Sequence, residues 1–143
     1  MSDIDFAKLK ILVVDDEMFM RSLVRSHLNE MGVIGANIEF AINGIEAAKL
    51  LKKDENIFNL ILLDLEMPAV DGFTLLDFVR NSKRPEIRNV PVIVLTGHTD
   101  QGSVVKAAQV GIQGYIGKPV SRKDLEKRIS AVLLPTEIDI SEL

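Results

Sequence analysis

Three blocks of consecutive apolar residues, at positions 11–14, 60–63 and 92–95, dominate the pattern of hydrophobic and polar positions along the chain. None of the three alternates with polar residues. Strands that are buried on both faces have this pattern, and such strands belong to parallel sheets covered by helices. Two weaker strands are predicted at residues 38–41 and 114–116.

The segments between these strands carry apolar residues at helical spacing. In residues 18–31, Met20, Val24 and Leu28 fall on one stripe, and Gly32 is suited to end the helix. The pair Ser121 and Asp124 has the spacing of a capping box and predicts the start of the last helix. The other helices are predicted at residues 45–51, at residues 72–79 and, more weakly, at residues 100–111 with Asp100 as a candidate N-cap.

Strand and helix alternate five times between residues 10 and 134. This alternation predicts one α/β domain in which helices cover both faces of a five-stranded parallel sheet. Residues 1–9 are predicted to be an N-terminal lead. Residues 135–143 are predicted to be a short acidic tail; they alternate acidic and apolar side chains, and we expect them to fray.

Composition narrows the class of protein. The 143 residues are 47% hydrophobic and 27% charged, which is typical of a globular domain. The formal net charge of −4 argues against a nucleic-acid partner, and no apolar run approaches the roughly 20 residues that span a membrane. The absence of cysteine and of a signal-peptide pattern predicts a cytoplasmic protein. The one basic segment, RNSKRPEIRN at residues 80–89, is predicted to be a solvated loop.

Polar side chains follow each strong strand at the point where the strand ends. Asp15 and Asp16 come after the first block, Asp64 after the second and Thr96 after the third, while Lys118 follows the weak fifth strand. The carboxyl ends of parallel strands lie on one edge of the sheet, where ligands bind in open α/β folds. The sequence therefore predicts a site that holds three carboxylates, a hydroxyl and an ammonium group.

The electrostatics of such a site require a cation or the protonation of a carboxylate. Two carboxylates about 4 Å apart repel by roughly 4 kcal/mol at an effective dielectric constant near 20, and one lysine does not neutralise three acids. Oxygen ligands without cysteine or a nearby histidine suit Mg²⁺. The metal ion and the lysine together leave room for an incoming anion, and a phosphoryl group fits that position.

Four motifs in order, ILVVDDE, LILLDLEMPAVDGF, VIVLTGH and GYIGKPV, strongly resemble the receiver domain of bacterial two-component response regulators. The resemblance covers residues 9–134. It implies a flavodoxin-like sheet of order 2-1-3-4-5 and Asp64 as the residue that accepts a phosphoryl group. It also implies that Asp16 binds Mg²⁺ directly and Asp15 through water, with Asp64 and the carbonyl of Glu66 as the other protein ligands.

The same resemblance assigns roles to the remaining motif residues. Thr96 matches the switch hydroxyl that turns towards the phosphoryl group, and Lys118 matches the lysine that pairs with it and precedes a cis proline. Tyr115 matches the aromatic residue that moves from an exposed to a buried position on activation. Glu66 and His98 stand at the two variable positions that are thought to tune the lifetime of the phosphoryl group.

The function implied is that of a stand-alone, chemotaxis-type single-domain response regulator, acting in chemotaxis or another phosphorelay. A sensor histidine kinase or a histidine phosphotransfer protein would supply the phosphoryl group, and a downstream protein would bind the fourth helix, fifth strand and fifth helix. The protein would be a monomer or a phosphorylation-dependent dimer. It would not be an enzyme, apart from catalysing its own phosphorylation and dephosphorylation.

Other interpretations remain open at this point. Taken singly, Asp15 and Asp16 can cap the following helix, Asp64 can be a turn residue, Lys118 can be a surface lysine, and His27 is an ordinary helix residue. A receiver-like scaffold that binds partners regardless of phosphorylation is the main functional alternative. An aspartate-nucleophile phosphohydrolase is disfavoured: Asp64 has an acid two residues on, but it is Glu66 rather than the second aspartate of D-x-D, and Met67 and Pro68 follow with no inserted cap domain.

Overall fold

The computed structural model describes residues 4–67, 72–97 and 101–134. In this part of the chain five strands alternate with helices. The strands are β1 (Ile11–Val14), β2 (Ile38–Ala41), β3 (Leu60–Asp64), β4 (Val92–Thr96) and β5 (Gly114–Gly117). The helices are α1 (Met18–Met31), α2 (Gly44–Lys52), α3 (Gly72–Arg80), α4 (Pro85–Arg88), α5 (Gln101–Val110) and α6 (Arg122–Leu133). Two short 3₁₀ turns lie at Phe6–Lys8 and Gly35–Asn37.

All five strands are parallel and lie in the order β2-β1-β3-β4-β5, which confirms the predicted sheet. Val14 pairs with Leu63, and Thr96 pairs with Gly117. The order changes direction between β1 and β3, so their carboxyl ends lie side by side at the topological switch point of the sheet.

The apolar runs are buried on both faces of the sheet, as their pattern predicted. Every residue of β1, β3 and β4 is buried. One core cluster lies between the sheet and α2, α3 and α5, and includes Leu63, Leu75 and Ala107. The second lies between the sheet and α1 and α6, and includes Leu28 and Ile129. Rigid central strands of this kind fix the positions of the side chains at their ends.

The helix boundaries follow the local signals. Gly32 ends α1 with a φ of 106°, a left-handed conformation that glycine adopts without strain. Ser121 caps α6 by accepting a hydrogen bond from the backbone N–H of Asp124. Asn43 caps α2 in the same way through the N–H of Glu46. The candidate cap Asp100 lies outside the described residues.

Residues 80–89, predicted to be a solvated loop, are mostly exposed to solvent but are not all loop. The segment contains the single-turn helix α4, so the fourth and fifth predicted helices are α5 and α6. The guanidinium of Arg80 donates to the carbonyl oxygens of Gly111, Arg88 and Val90 at 2.8, 2.8 and 2.7 Å. It also donates to Oε1 of Gln113 at 2.9 Å. This cation therefore joins the end of α4 to the loops that precede β4 and β5, at the amino-terminal edge of the sheet, and burial lowers its pKa.

His27 has a tertiary contact that its helical position did not predict. Its Nε2 lies 3.0 Å from the carbonyl oxygen of Val120, so the ring joins α1 to the loop before α6. None of the described helices is both long enough and apolar enough to cross a lipid bilayer.

Candidate functional site

The ends of β1 and β3 place Asp15 and Asp64 together at the carboxyl edge of the sheet. Asp15 is fully buried and Asp64 is 1% exposed. The backbone N–H of Asp15 donates to the carbonyl oxygen of Ala41 at 3.0 Å, which holds the residue in line with β2. Carboxylates are rarely buried to this degree unless they are paired or bind a metal ion.

The two aspartates have the same local geometry. Oδ1 of Asp15 accepts the N–H of Glu17 at 2.9 Å, and Oδ1 of Asp64 accepts the N–H of Glu66 at 2.9 Å. In each case the hydrogen bond closes an Asx turn, which redirects the chain directly after the strand. The other carboxylate oxygen, Oδ2, is buried in both residues and accepts no well-directed hydrogen bond within the described residues. These two oxygens are the atoms available for a ligand.

Lys118 provides the positive charge of the site. Its side chain is 10% exposed, and its Nζ lies 3.2 Å from Oδ2 of Asp15 and 3.4 Å from Oδ2 of Asp64. Oε1 of Glu17 is 3.6 Å away. The backbone N–H of Lys118 donates to the carbonyl oxygen of Thr96 at 2.7 Å, and the Lys118–Pro119 peptide bond is cis, as the resemblance implied. The lysine therefore enters the site directly after β5, with its backbone hydrogen-bonded to the last residue of β4.

The pKa values of the two central groups are displaced in the same direction for different reasons. Burial, with a smaller contribution from Asp15, raises the pKa of Asp64 to about 6, although the N–H of Glu66 and the charge of Lys118 oppose the rise. Burial disfavours the charge on Lys118. The carboxylates of Asp64, Asp15 and Glu17 outweigh that effect and raise the pKa of the ammonium group. Above pH 6 the site holds an ionised Asp64 beside a charged Lys118.

Four acidic side chains can present oxygen ligands to one metal ion. Asp15, Asp16, Glu17 and Asp64 each offer one oxygen atom, and these atoms all lie within 4.8 Å of one another. Two of the four residues, Asp15 and Asp64, also carry the buried Oδ2 atoms described above, which lie beside the ammonium group of Lys118. The donor set is entirely oxygen, which fits a hard divalent cation such as Mg²⁺. The group fits the predicted ion, with Asp16 and Glu17 on its solvent side.

Glu17 is the member of this group that the prediction missed. It is the N-cap residue of α1, yet its side chain makes no capping hydrogen bond and lies near Lys118 instead. The motif ILVVDDE contains a third consecutive acid, and that run was the available signal. The alternative in which Asp15 and Asp16 cap α1 is wrong, because the cap position belongs to Glu17.

Thr96 and Glu66 lie on the β4 side of the site. Thr96 ends β4 and is 8% exposed. A Cβ atom placed on the next residue, Gly97, would lie 3.2 Å from Oε2 of Glu66. The Glu66 carboxylate therefore lies across Gly97, beside the strand end that carries the predicted switch hydroxyl. The predicted role of the Glu66 carbonyl as a metal ligand stays a prediction.

The two remaining predicted residues lie at the periphery or beyond the described chain. Tyr115 on β5 is 52% exposed, while its neighbour Ile116 is buried, as expected for adjacent residues of a strand. The exposed ring corresponds to the first of the two positions that the resemblance implied for this aromatic residue. His98, the second predicted lifetime-tuning residue, lies outside the described residues.

Comparison with known proteins decides the family. A family model for the response regulator receiver domain matches residues 11–130. The chain belongs to the response regulator receiver family. It is 32% identical over 124 residues to the chemotaxis protein CheY-3 of Vibrio cholerae, an alignment that covers 87% of this chain and 91% of that protein. It is 36% identical to a probable transcriptional regulator, ycf27, of Porphyridium aerugineum, and there it covers 88% of this chain and 48% of the relative.

Solved receiver structures have the same fold. The chemotaxis response regulator CheY4 of Vibrio cholerae is 29% identical, with a TM-score of 0.76 over 87% of this chain and 98% of that one. The receiver domain of the sensor histidine kinase PA1611 from Pseudomonas aeruginosa is 25% identical, with a TM-score of 0.75 over 87% of this chain and 96% of that one. That structure holds a magnesium ion in its active-site cleft. The receiver fold and these relatives support, in general terms, the role of a phosphoryl-accepting response regulator.

Proposed function

We propose that this receiver accepts a phosphoryl group on Asp64 from a sensor histidine kinase or a histidine phosphotransfer protein and signals by phosphorylation-switched protein binding. A chemotaxis pathway or another phosphorelay is the proposed setting, supported by the similarity to CheY-3 and CheY4. The observation that carries the proposal is the Oδ2 atom of Asp64. It is buried, accepts no well-directed hydrogen bond within the described residues, and lies 3.4 Å from the ammonium group of Lys118.

Asp64 acts as the nucleophile. Its Oδ2 attacks the phosphorus atom of a phosphohistidine, a P–O bond forms, and the P–N bond breaks with the electron pair leaving on the imidazole nitrogen. A proton from solvent then converts this imidazolate into neutral imidazole. The hydrogen bond from the N–H of Glu66 to Oδ1 orients the carboxylate so that the other oxygen points into the site. Because the pKa of Asp64 is about 6, the carboxylate is mostly ionised, and so nucleophilic, at neutral pH.

Lys118, and the metal ion that the acidic group would hold, offset the negative charge that phosphoryl transfer adds to the site. Transfer adds an anion to a site that already holds several carboxylates, so catalysis consists largely of positioning and charge neutralisation. Lys118 can exchange Oδ2 of Asp64 for a phosphoryl oxygen while it stays close to Asp15. Asp15, Asp16, Glu17 and Asp64 would hold Mg²⁺, which supplies further positive charge to the phosphoryl oxygens when bound.

The output of the switch is proposed to pass through Thr96 and Tyr115. The Thr96 hydroxyl, at the end of β4, turns towards the phosphoryl group, and the exposed Tyr115 ring follows it inwards. A downstream protein that binds α5, β5 and α6 would then distinguish the two arrangements. In this proposal the chain catalyses only its own phosphorylation and dephosphorylation.

Beryllofluoride and acetyl phosphate test the proposal. Wild type and Asp64→Asn are incubated with Mg²⁺ and acetyl phosphate, and the mass of the intact protein is measured. The wild type gains one phosphoryl group and Asp64→Asn does not. Equal labelling of both proteins, or of neither, would overturn the assignment. The scaffold alternative predicts that beryllofluoride leaves affinity for a captured partner unchanged.

A further inference from the structure

The chain between β5 and α6, residues 118–121, carries Lys118 into the site, and we call this segment the lysine loop. Two interactions hold its ends. The backbone N–H of Lys118 donates to the carbonyl oxygen of Thr96 at 2.7 Å, and the side chain of Ser121 caps α6. Pro119 has no N–H with which to anchor the loop. Between the two ends, the carbonyl oxygen of Val120 is the point at which another helix holds the main chain.

His27 of α1 provides that contact. Its Nε2 atom lies 3.0 Å from the carbonyl oxygen of Val120, and because a carbonyl oxygen only accepts, Nε2 carries the proton and donates. No other hydrogen bond to this oxygen is formed within the described residues. Val120 is 3% exposed, so little water is available to replace the imidazole. The imidazole is therefore a specific restraint on the lysine loop.

The other ring nitrogen of His27 shows that the side chain is more than a spacer between α1 and the loop. Nδ1 is buried and forms no hydrogen bond within the described residues. A buried polar atom without a partner costs free energy that an apolar side chain of similar size would not. The bond from Nε2 to Val120 is thus the one interaction that histidine makes here and an apolar residue would not.

A second contact joins α1 to the start of α6. Nε of Arg122 lies 3.6 Å from Oε2 of Glu30, but both side chains are about half exposed, and exposed ion pairs contribute little. This pair links the same two helices without touching the lysine loop, so it offers a matched comparison for His27. α6 is the last element of the described chain, and the predicted tail at residues 135–143 lies outside it.

We propose that His27 is a positioning residue for phosphoryl transfer, which places Lys118 by holding the carbonyl group of Val120. Only Pro119 separates Lys118 from Val120, so a displacement of the Val120 main chain moves the lysine as well. The ammonium group lies 3.2 Å from Oδ2 of Asp15 and 3.4 Å from Oδ2 of Asp64. A misplacement of about 1 Å is enough to slow a reaction that depends on positioned charges.

His27 acts on the main chain of the loop and not on the reacting atoms. During transfer the side chain of Lys118 exchanges an oxygen of Asp64 for a phosphoryl oxygen, so the ammonium group must move while its backbone stays in place. The bond from His27 to Val120 fixes the backbone and leaves the lysine side chain free. This consequence for transfer rests on the proposed function, whereas the resting position of Lys118 does not.

Two amide variants separate the hydrogen bond from the bulk of the ring. The amide nitrogen of glutamine stands near the place of Nε2, whereas that of asparagine is one bond shorter and does not reach the Val120 carbonyl. His27→Gln should therefore keep Lys118 in position, and His27→Asn should not. Glu30→Gln is the matched control, because it removes the other contact between α1 and the start of α6. Urea denaturation checks that each variant folds, and His27→Leu replaces His27→Asn if the latter does not.

The first measurement needs no phosphorylation. The folded proteins are treated with a trace of acetic anhydride in EDTA, and mass spectrometry of peptides compares acetylation of Lys118 with that of the exposed Lys83. A lysine that leaves its buried place beside the carboxylates reacts faster. We expect acetylation of Lys118 to rise about two- to tenfold in His27→Asn, the range for loss of an ordinary hydrogen bond, and to stay at the wild-type rate in His27→Gln and Glu30→Gln.

The second measurement is the rate at which acetyl phosphate and Mg²⁺ label Asp64. His27→Asn should lower this rate by about two- to tenfold, and His27→Gln should restore it. In a Lys118→Met background, His27→Asn should have no further effect, because the group that it positions is gone. A purely structural role of His27 would instead give the same loss in both backgrounds.

Each outcome bears on the proposal. Unchanged acetylation of Lys118 in His27→Asn would overturn it. An equal rise in His27→Gln or in Glu30→Gln would also overturn it, because the hydrogen bond would then not be the cause. A loss of labelling that persists in the Lys118→Met background would show that His27 does not act through the lysine. If the wild type is not labelled at all, the proposed function fails, and acetylation still decides whether His27 positions Lys118.

Discussion

The ammonium group of Lys118 lies 3.4 Å from Oδ2 of Asp64, and this carboxylate oxygen accepts no well-directed hydrogen bond within the described residues. The nucleophile is thus held in place through its other oxygen and neutralised by a group that can move away. Such an arrangement suits a residue that must gain a phosphoryl group, because the incoming oxygens take over the cation that the resting carboxylate uses.

Removing Lys118 should destabilise the protein more than removing an exposed lysine. Lys118→Met leaves two buried carboxylates without their cation, and breaking such a cluster costs about 2–4 kcal/mol in the free energy of unfolding. Urea denaturation at pH 7.5 measures this cost, with the exposed Lys83→Met as control. Saturating Mg²⁺ should recover part of the loss. A loss equal to that of Lys83→Met would contradict the placement of Lys118 among the acids.

Asp64→Asn should stabilise the metal-free protein at alkaline pH. The pKa of Asp64 is about 6 in the folded chain against an ordinary value of 3.8, so ionisation costs more in the folded than in the unfolded state. The wild type therefore loses stability as the pH rises through 6, and the neutral variant does not. The gain should be about 1–3 kcal/mol at pH 8 and should shrink below pH 6.

The pH profile of this gain is measured by urea denaturation in EDTA between pH 4.5 and 8.5. A gain in the free energy of unfolding that is constant across this pH range would show that the shape of the asparagine side chain, rather than the loss of the charge, causes it. Adding Mg²⁺ at pH 8 should remove the advantage of Asp64→Asn, because the metal ion stabilises the ionised wild type.

Glu17→Gln should weaken binding of Mg²⁺ by about two- to fivefold. Glu17 offers an oxygen to the acidic group, but its side chain is 61% exposed, so its contribution is smaller than that of a buried ligand. Titration calorimetry measures the dissociation constant, with the exposed Glu55→Gln as control for the change in net charge. Equal constants for the two variants would show that Glu17 neither binds nor attracts the ion.

The features of this molecule that depend on neighbouring residues in the chain could be predicted from the sequence. Contacts between residues far apart in the chain could not. The run at residues 60–63 predicted both the central strand and the position of Asp64, because a buried strand determines where its last side chain lies. Glu17 and Arg80 were not predicted. The contact of Glu17 with Lys118 joins residues about a hundred positions apart. Three acceptors of Arg80 are backbone carbonyl oxygens, one at the end of α4 and two in the loops before β4 and β5, and backbone acceptors leave no residue-type signal in the sequence.

Glu66→Gln should speed the uptake of small anionic phosphodonors. The Glu66 carboxylate lies across Gly97, beside the end of β4, so an incoming dianion approaches a fixed negative charge. At about 8 Å and an effective dielectric constant of 40–80, each unit of donor charge costs about 0.5–1 kcal/mol. A dianion such as acetyl phosphate therefore meets a penalty of about 1–2 kcal/mol, which predicts a rate roughly five- to thirtyfold faster in Glu66→Gln. The gain should fall in 0.5 M salt and be absent from the exposed control Asp77→Asn. Gly97→Ala, whose new methyl group would displace the carboxylate, should change the rate in the wild type but not in Glu66→Gln, and equal effects in both would show that the two side chains act independently.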